Sequence, residues 1–219
     1  MKPILKTLLI LFALSLPTQR LDAQIYAKLN GLYALVGVIN PAVEFTVSPK
    51  STFQTEIVFS PWKYVNDHGV DKPMKFGILM TEYRRYFKQH NRGWYLGANM
   101  GMMGFKMSKP QFSDGWFLEN RYSKGYGMMI GICGGFEYQF ADRWLLDAYF
   151  GWSYMLSWYN GYSLDGTIDL YPHRPVQPEK PDPFNGSHEW LPNKIGGSIG
   201  FMIFNPARRG RTGSSCAVR

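Results

Sequence analysis

Between Tyr126 and Phe140 the chain alternates with a period of two, and this pattern restricts its fold more than any other feature. Tyr126, Met128, Ile130, Ile132, Phe136, Tyr138 and Phe140 occupy even positions. Gly125, Gly127, Gly131, Cys133, Gly135, Glu137 and Gln139 occupy odd ones. Successive side chains of a strand point to opposite faces. The segment 124–140 therefore reads as one long strand with an apolar, aromatic face and a small, polar face.

The same parity recurs through the sequence and predicts strands at 26–36, 41–48, 51–60, 74–87, 94–107, 124–140, 144–158 and 193–204. No segment carries an apolar stripe of helical period. The connections sort by length. Those at 48–51, 88–93 and 141–143 are short, and those at 61–73, 108–123 and 159–192 are long, with 37–40 a short link on the long-loop side. Short turns at one end and long loops at the other are the habit of membrane barrels, not of packed sandwiches.

Alternation alone does not say which face is inside, and a soluble calycin-type barrel would turn the apolar face inward. Composition decides between the two. A strand surface facing water is stocked with Lys, Glu and Thr, whereas the polar face here is largely Gly and Ser. Glycine weakens a strand unless something needs the space, and the inside of a narrow barrel does. Aromatic residues also gather at predicted strand ends: Tyr26, Trp62, Tyr86, Phe87, Trp94, Phe140, Trp144, Trp158 and Phe204. They are placed as girdles at two membrane interfaces would be. The expected fold is an all-β, eight-stranded antiparallel up-and-down transmembrane β-barrel with short periplasmic turns and longer extracellular loops.

Residues 1–23 have the parts of a secretory signal peptide: Lys2 and Lys6, an apolar core from Leu8 to Leu16, and a small-residue site at Ala23. The barrel is expected over 24–205, and 206–219 forms a basic tail. The formal charge of +8 is concentrated at the ends. Lys2, Lys6 and Arg20, less Asp22, account for two charges and the four arginines of the tail for four more, leaving about +2 on the body. That gives no electrostatic case for nucleic acid. Cys133 and Cys216 suggest neither a disulfide nor a metal site, and nothing in the sequence implies a cofactor.

Eight charged residues fall on the inward parity: Lys28, Glu44, Glu56, Glu82, Arg84, Glu137, Asp147 and Lys194. They are expected to form a polar network in the lumen, because pairing offsets the cost of removing each charge from water. The competing reading is a hydrolase's acid and base carboxylates. Arg84, Lys28 and Lys194 are the candidate partners of Glu137. Arg85 points outward near the periplasmic end, where a lipid-facing charge costs roughly 0–1 kcal/mol. His68, His90, His173 and His188 all fall in predicted loops or turns, and neither a metal site from His68, His173 and His188 nor a triad from Ser187, His188 and Glu189 has convincing geometry. The loop 159–192 carries six prolines and reads as a partner-binding site or a spacer. Alternating apolar residues with Gly200 and a terminal Phe204 have the form of the signal that barrel-assembly machinery reads on a last strand. The tail beyond them is either a basic periplasmic extension or a reading frame run past its stop.

The segments "KLNGLYAL" (28–35), "SPWK" (60–63), "EYRRYF" (82–87), "RWLLDAYFGWSY" (143–154) and "KIGGSIGFMIF" (194–204) occur in order. Together they resemble a family of small Bacteroidota outer-membrane proteins catalogued as domain of unknown function 3575. The resemblance implies an eight-stranded outer-membrane barrel without assigned activity, and in some relatives an association with fimbrial or adhesion genes. It carries over no catalytic residue. The expected protein is a monomeric, non-catalytic barrel in the outer membrane of a Gram-negative bacterium, in contact with lipid and with the barrel-assembly machinery. Its loop 159–192 would meet a surface or fimbrial protein. The rival expectations are a surface enzyme acting on lipid or peptide and a soluble periplasmic ligand-binding barrel.

Overall fold

The structure is a computed structural model that describes residues 24–111, 117–118, 121–164 and 187–206. The expected signal peptide at 1–23, most of the expected loop 159–192 with His173, and the basic tail with Cys216 lie outside the described residues. The rest is all-β apart from one short helix. In chain order the elements are β1 (Ile25–Asn30), α1 (Gly31–Leu35), β2 (Pro41–Ser48), β3 (Ser51–Phe59), β4 (Tyr64–Asp67) and β5 (Val70–Tyr86). There follow β6 (Gly93–Met107), β7 (Pro110–Gln111), β8 (Phe117–Leu118), β9 (Arg121–Gln139), β10 (Trp144–Ser163) and β11 (Ser187–Phe204).

Nine strands make one antiparallel sheet in the order β3-β2-β1-β11-β10-β9-β6-β5-β4. The sheet curls until β3 also pairs with β5, Phe53 lying opposite Tyr83. The first and last long strands meet as well, with Leu29 opposite Ile199. The pairings thus run in a ring through eight strands, and β4 is a short addition to β5. β7 and β8 form a separate two-stranded ribbon.

The departures from the predicted strands have local causes. A strand was expected over 26–36, but β1 stops at Asn30. The Asn30 side chain accepts hydrogen bonds from the backbone N–H of Leu32 (3.0 Å) and Tyr33 (3.4 Å), which caps α1. The link at this end is therefore longer than 37–40. Residues 61–73 hold a hairpin where a loop was expected. His68 and Gly69 both take positive φ (52° and 84°), the pairing of a two-residue turn whose twist suits a hairpin. β10 and β11 also continue beyond their expected limits at the long-loop end. The added residues of β11 pair with β10, Ser187 lying opposite Ser157, and those of β10 pair with β9, Ser163 lying opposite Arg121.

The ring has a polar interior and an apolar exterior. Arg84, Glu44 and Ser153 are fully buried, while Ile132 is 69% and Trp94 66% exposed. The even residues of β9 point out and its odd ones point in, with Cys133, Gly135 and Glu137 buried. Two of the aromatics expected in the girdles differ. Tyr26 and Tyr86 are each only 1% exposed and point into the ring. Parity accounts for this: Tyr26 shares a face with Lys28, and Tyr86 with Arg84.

Inward glycines make room for large neighbours. A Cβ on Gly200 would lie 2.8 Å from Leu145 Cδ1 and 3.2 Å from Lys28 Cγ, and one on Gly97 would lie 2.7 Å from Cys133 Sγ. Outward Gly197 has open space where its Cβ would be. Gly200→Val should accordingly lower unfolding stability by about 1–3 kcal/mol through overpacking. Gly197→Val should stay within about 0.5 kcal/mol of the parent. Denaturant titration followed by tryptophan fluorescence measures both, and equal effects would contradict this account of the glycines.

Candidate functional site: a buried charge network

The network begins with a conflict in register. β9 and β10 place Glu137 directly opposite Asp147, and like charges facing each other across a strand pair repel. Two cations from other strands resolve it. Arg84 on β5 donates from Nη1 to Asp147 Oδ2 (2.7 Å) and to Glu137 Oε1 (2.9 Å). Lys28 on β1 bonds to Asp147 Oδ2 (3.0 Å) and also forms ion pairs with Glu137 and Glu44.

Arg84 reaches further along its own strand. Its Nε donates to Glu82 Oε1 at 2.5 Å, two residues away on the same face. Lys194 on β11 then links Glu82 to Glu56, whose carboxylate is 3.0 Å from its Nζ. Gln54 donates to Glu56 Oε2 at 3.0 Å. All eight charged residues expected on the inward parity meet in this interior. Glu137 pairs with Arg84 and Lys28, while Lys194, its third candidate partner, engages Glu56 and Glu82 instead.

Neutral donors satisfy the remaining carboxylate oxygens. Tyr86 Oη donates to Glu44 Oε1 (3.0 Å), Tyr95 Oη to Asp147 Oδ1 (3.0 Å) and Asn91 Nδ2 to Glu137 Oε2 (3.2 Å). The Arg84 guanidinium lies over the Tyr95 ring, 4.6 Å from its centroid. The expected network did not include these tyrosines or Asn91. The signal for Tyr86 was its parity with Glu82 and Arg84, and for Tyr95 its position between outward Trp94 and Leu96. Asn91 comes from a turn at positive φ (58°), where strand parity says nothing.

The network is sealed at both ends. Tyr26, Leu145 and Met202 pack together toward the short turns, and Met80, Met129 and Met155 toward the long loops. Lys28, Glu44, Arg84, Glu137 and Asp147 have side chains 1% exposed or less. Chemically the arrangement is a cross-brace, with every carboxylate held by a cation and none offered to solvent.

The other singled-out residues lie elsewhere. His68 is in the β4–β5 turn, its Nδ1 2.9 Å from Asp67 Oδ1, and His90 Nδ1 is 2.8 Å from Asn91 Oδ1. His188 was expected in a loop but sits on β11, opposite Leu156, with Nδ1 2.6 Å from Tyr154 Oη. Glu189 follows it on the strand and bonds instead with Lys109 Nζ at 2.5 Å. Among the described residues, no three His, Cys, Asp or Glu side chains are grouped as metal ligands. Gly200 packs against Leu145 and Lys28 inside the ring. Phe204 closes β11 opposite Ile25, 40% exposed.

Residues 6–173 match the family described as protein of unknown function (DUF3575), and the chain belongs to that family. The match reaches past β10 and stops before β11, so the closing segment 194–204 lies beyond it. No curated protein and no solved structure matches the chain.

Five carboxylates share this interior with three cations, so losing a cation and losing a carboxylate should have unequal costs. Arg84→Met strands buried carboxylates and should destabilise by about 3–5 kcal/mol. Glu137→Gln removes one excess negative charge and keeps an acceptor for Arg84, so it should cost less than about 1.5 kcal/mol. Denaturant midpoints of the two variants decide the matter. Equal losses would mean that the charges are not acting as one network.

Proposed function

We propose that this member of the family is a closed, non-catalytic β-barrel of the outer membrane that presents its long-loop end at the cell surface. The observation that carries the reading is the inverted polarity of the ring, with buried charges inside and exposed Ile, Leu, Met, Phe and Trp outside. In water that exterior would be an apolar surface far larger than soluble monomers expose. In a bilayer it is the surface required, because a closed ring of strands satisfies its backbone groups internally.

The dimensions agree with a membrane. The outward residues of β6 are Trp94, Leu96, Ala98, Met100, Met102 and Gly104, and the next outward residue is Lys106. Ten residues of strand cover about 34 Å, or roughly 24 Å of height at a tilt near 45°, close to the apolar band of such barrels. Trp94, Phe140 and Trp144 lie at the short-turn end, and Tyr126 and Trp158 face each other toward the other end (ring centroids 5.4 Å apart). The packed interior argues against a pore, since the charges that could line one are bound to one another.

Work done by such a barrel falls to its loops. The β4–β5 hairpin and the β7–β8 ribbon lie at the end where β10 finishes at Ser163 and β11 begins at Ser187. A role in adhesion, envelope integrity or assembly of surface proteins fits that arrangement, with 159–192 as the contact segment. Buried, paired carboxylates give no support to the enzyme reading.

The test is a gel experiment on protein extracted from membranes in mild detergent. The unboiled chain should migrate as a compact species and shift on boiling. Ile130→Arg, near mid-bilayer, should lower stability in vesicles by about 2–4 kcal/mol. Protease added to intact cells should cut within 159–192. A chain that is monomeric in plain buffer and shows no boiling shift would overturn the membrane reading, and an uncut loop would overturn its orientation.

A further inference from the structure

Outside the charge network, the most unusual surface feature is a row of three lysines. Lys75 on β5 lies opposite Lys106 on β6, and Lys106 lies opposite Lys124 on β9. All three occupy outward parity, and Lys75 and Lys124 are exposed. With strands about 4.8 Å apart, the three stand within roughly 10 Å. Like charges abreast on one face destabilise a sheet. Among the described residues no carboxylate forms an ion pair with any of them. Lys106 lies instead over the ring of Tyr122, 4.9 Å from its centroid, and that ring stacks on Tyr162. The aromatic pair adds no negative charge, so among the described residues the ammonium has no carboxylate counterion.

Immediately on the membrane side of the row the surface is hollow. The outward positions there are Gly77 and Gly104, which lie opposite each other. A Cβ on Gly104 would meet nothing within 4 Å, and one on Gly77 only Phe59 Cδ2 at 4.0 Å. The groove holds about 540 Å³ between Phe59 and Tyr126, with the three lysines along its upper edge. Below it the next outward residues are Leu79, Met102 and Met128, all more than 40% exposed. The site therefore has three cations at the rim, a trough over two glycines, and an apolar floor continuing over Leu79, Met102 and Met128.

We propose that this face binds an anionic lipid of the outer leaflet that carries a phosphomonoester, with its headgroup on Lys75, Lys106 and Lys124 and an acyl chain in the trough over Gly77 and Gly104. The inference rests on the membrane reading above. Under that reading the lysines stand at the edge of the apolar band, at the depth of lipid phosphates. Charge complementarity names the headgroup, and the continuous apolar floor distinguishes a lipid from free phosphate. Phosphate oxygens would relieve the repulsion among the lysines and accept their hydrogen bonds.

The experiment uses the full chain extracted from membranes, with bound lipid counted by native mass spectrometry. Titrants are phosphatidic acid, phosphatidylcholine with the same acyl chains, and glycerol 3-phosphate as the headgroup alone. Juxtamembrane lysines are worth about 1 kcal/mol each, so phosphatidic acid should bind on the order of 100-fold tighter than phosphatidylcholine. The combined variant Lys75→Gln, Lys106→Gln, Lys124→Gln should lose that preference and keep its boiling shift. Raising salt should weaken the preference in the parent chain as well, which gives a readout independent of the variant. Equal preference in parent and variant would overturn the proposal, as would glycerol 3-phosphate binding as tightly as the lipid. A parent that shows the boiling shift but no lipid preference would remove this inference alone. A parent without the shift would remove the membrane reading and this proposal together.

Discussion

Arg84 holds together what the strand register would drive apart. It touches Glu44, Glu82, Glu137 and Asp147 from one fully buried guanidinium, and these carboxylates come from four different strands. A ring of strands has no conventional oily core when its apolar side chains point outward. Its interior must be held by interactions among polar groups, and these stabilise only when nearly every donor and acceptor is used. Lys28 and Lys194 extend the brace to the strand that begins the ring and the strand that ends it. Closure between β1 and β11 is thus supported by charge as well as by backbone pairing.

The glycines belong to the same arrangement. Larger groups such as Glu82, Tyr95, Tyr149 and Leu145 need the space that inward Gly97, Gly135, Gly196 and Gly200 leave. Small residues on one strand and large ones on its neighbour fill a narrow interior without strain. The stretch 124–140 serves both roles. Its even residues form the outer apolar surface, and its odd residues alternate between giving room and, at Glu137, anchoring the brace.

Much of this could be read from period-two parity. Parity alone places Lys28, Glu44, Glu56, Glu82, Arg84, Glu137, Asp147 and Lys194 on one side. It could also have placed Tyr26 and Tyr86 inside, but strand-end aromatics suggested girdles instead. Features that break strand geometry were harder to see. Asn30 ends β1 by capping a single helical turn, which depends on one side-chain hydrogen-bonding pattern rather than on a period. The β4–β5 hairpin turns on His68 in a left-handed conformation, where Asn or Gly is the usual cue. The position of His188 on a strand followed from β11 beginning six residues before its apolar segment, where it pairs with 153–157 of β10. The lysine row was invisible for another reason: Lys75, Lys106 and Lys124 come together only through the registers of three strands.

The central claim is that the even face of β9 meets lipid while the charges stay inside. Single cysteines carrying spin labels at Lys124, Met128, Ile130, Ile132 and Phe136, in protein reconstituted into vesicles with Cys133 and Cys216 both replaced by Ser, test it directly. Collision with oxygen should peak near Ile130 and Ile132, and collision with a water-soluble nickel complex should be greatest at Lys124. Nickel access that is uniform along the strand, with no peak for oxygen, would place this face in water and contradict the account.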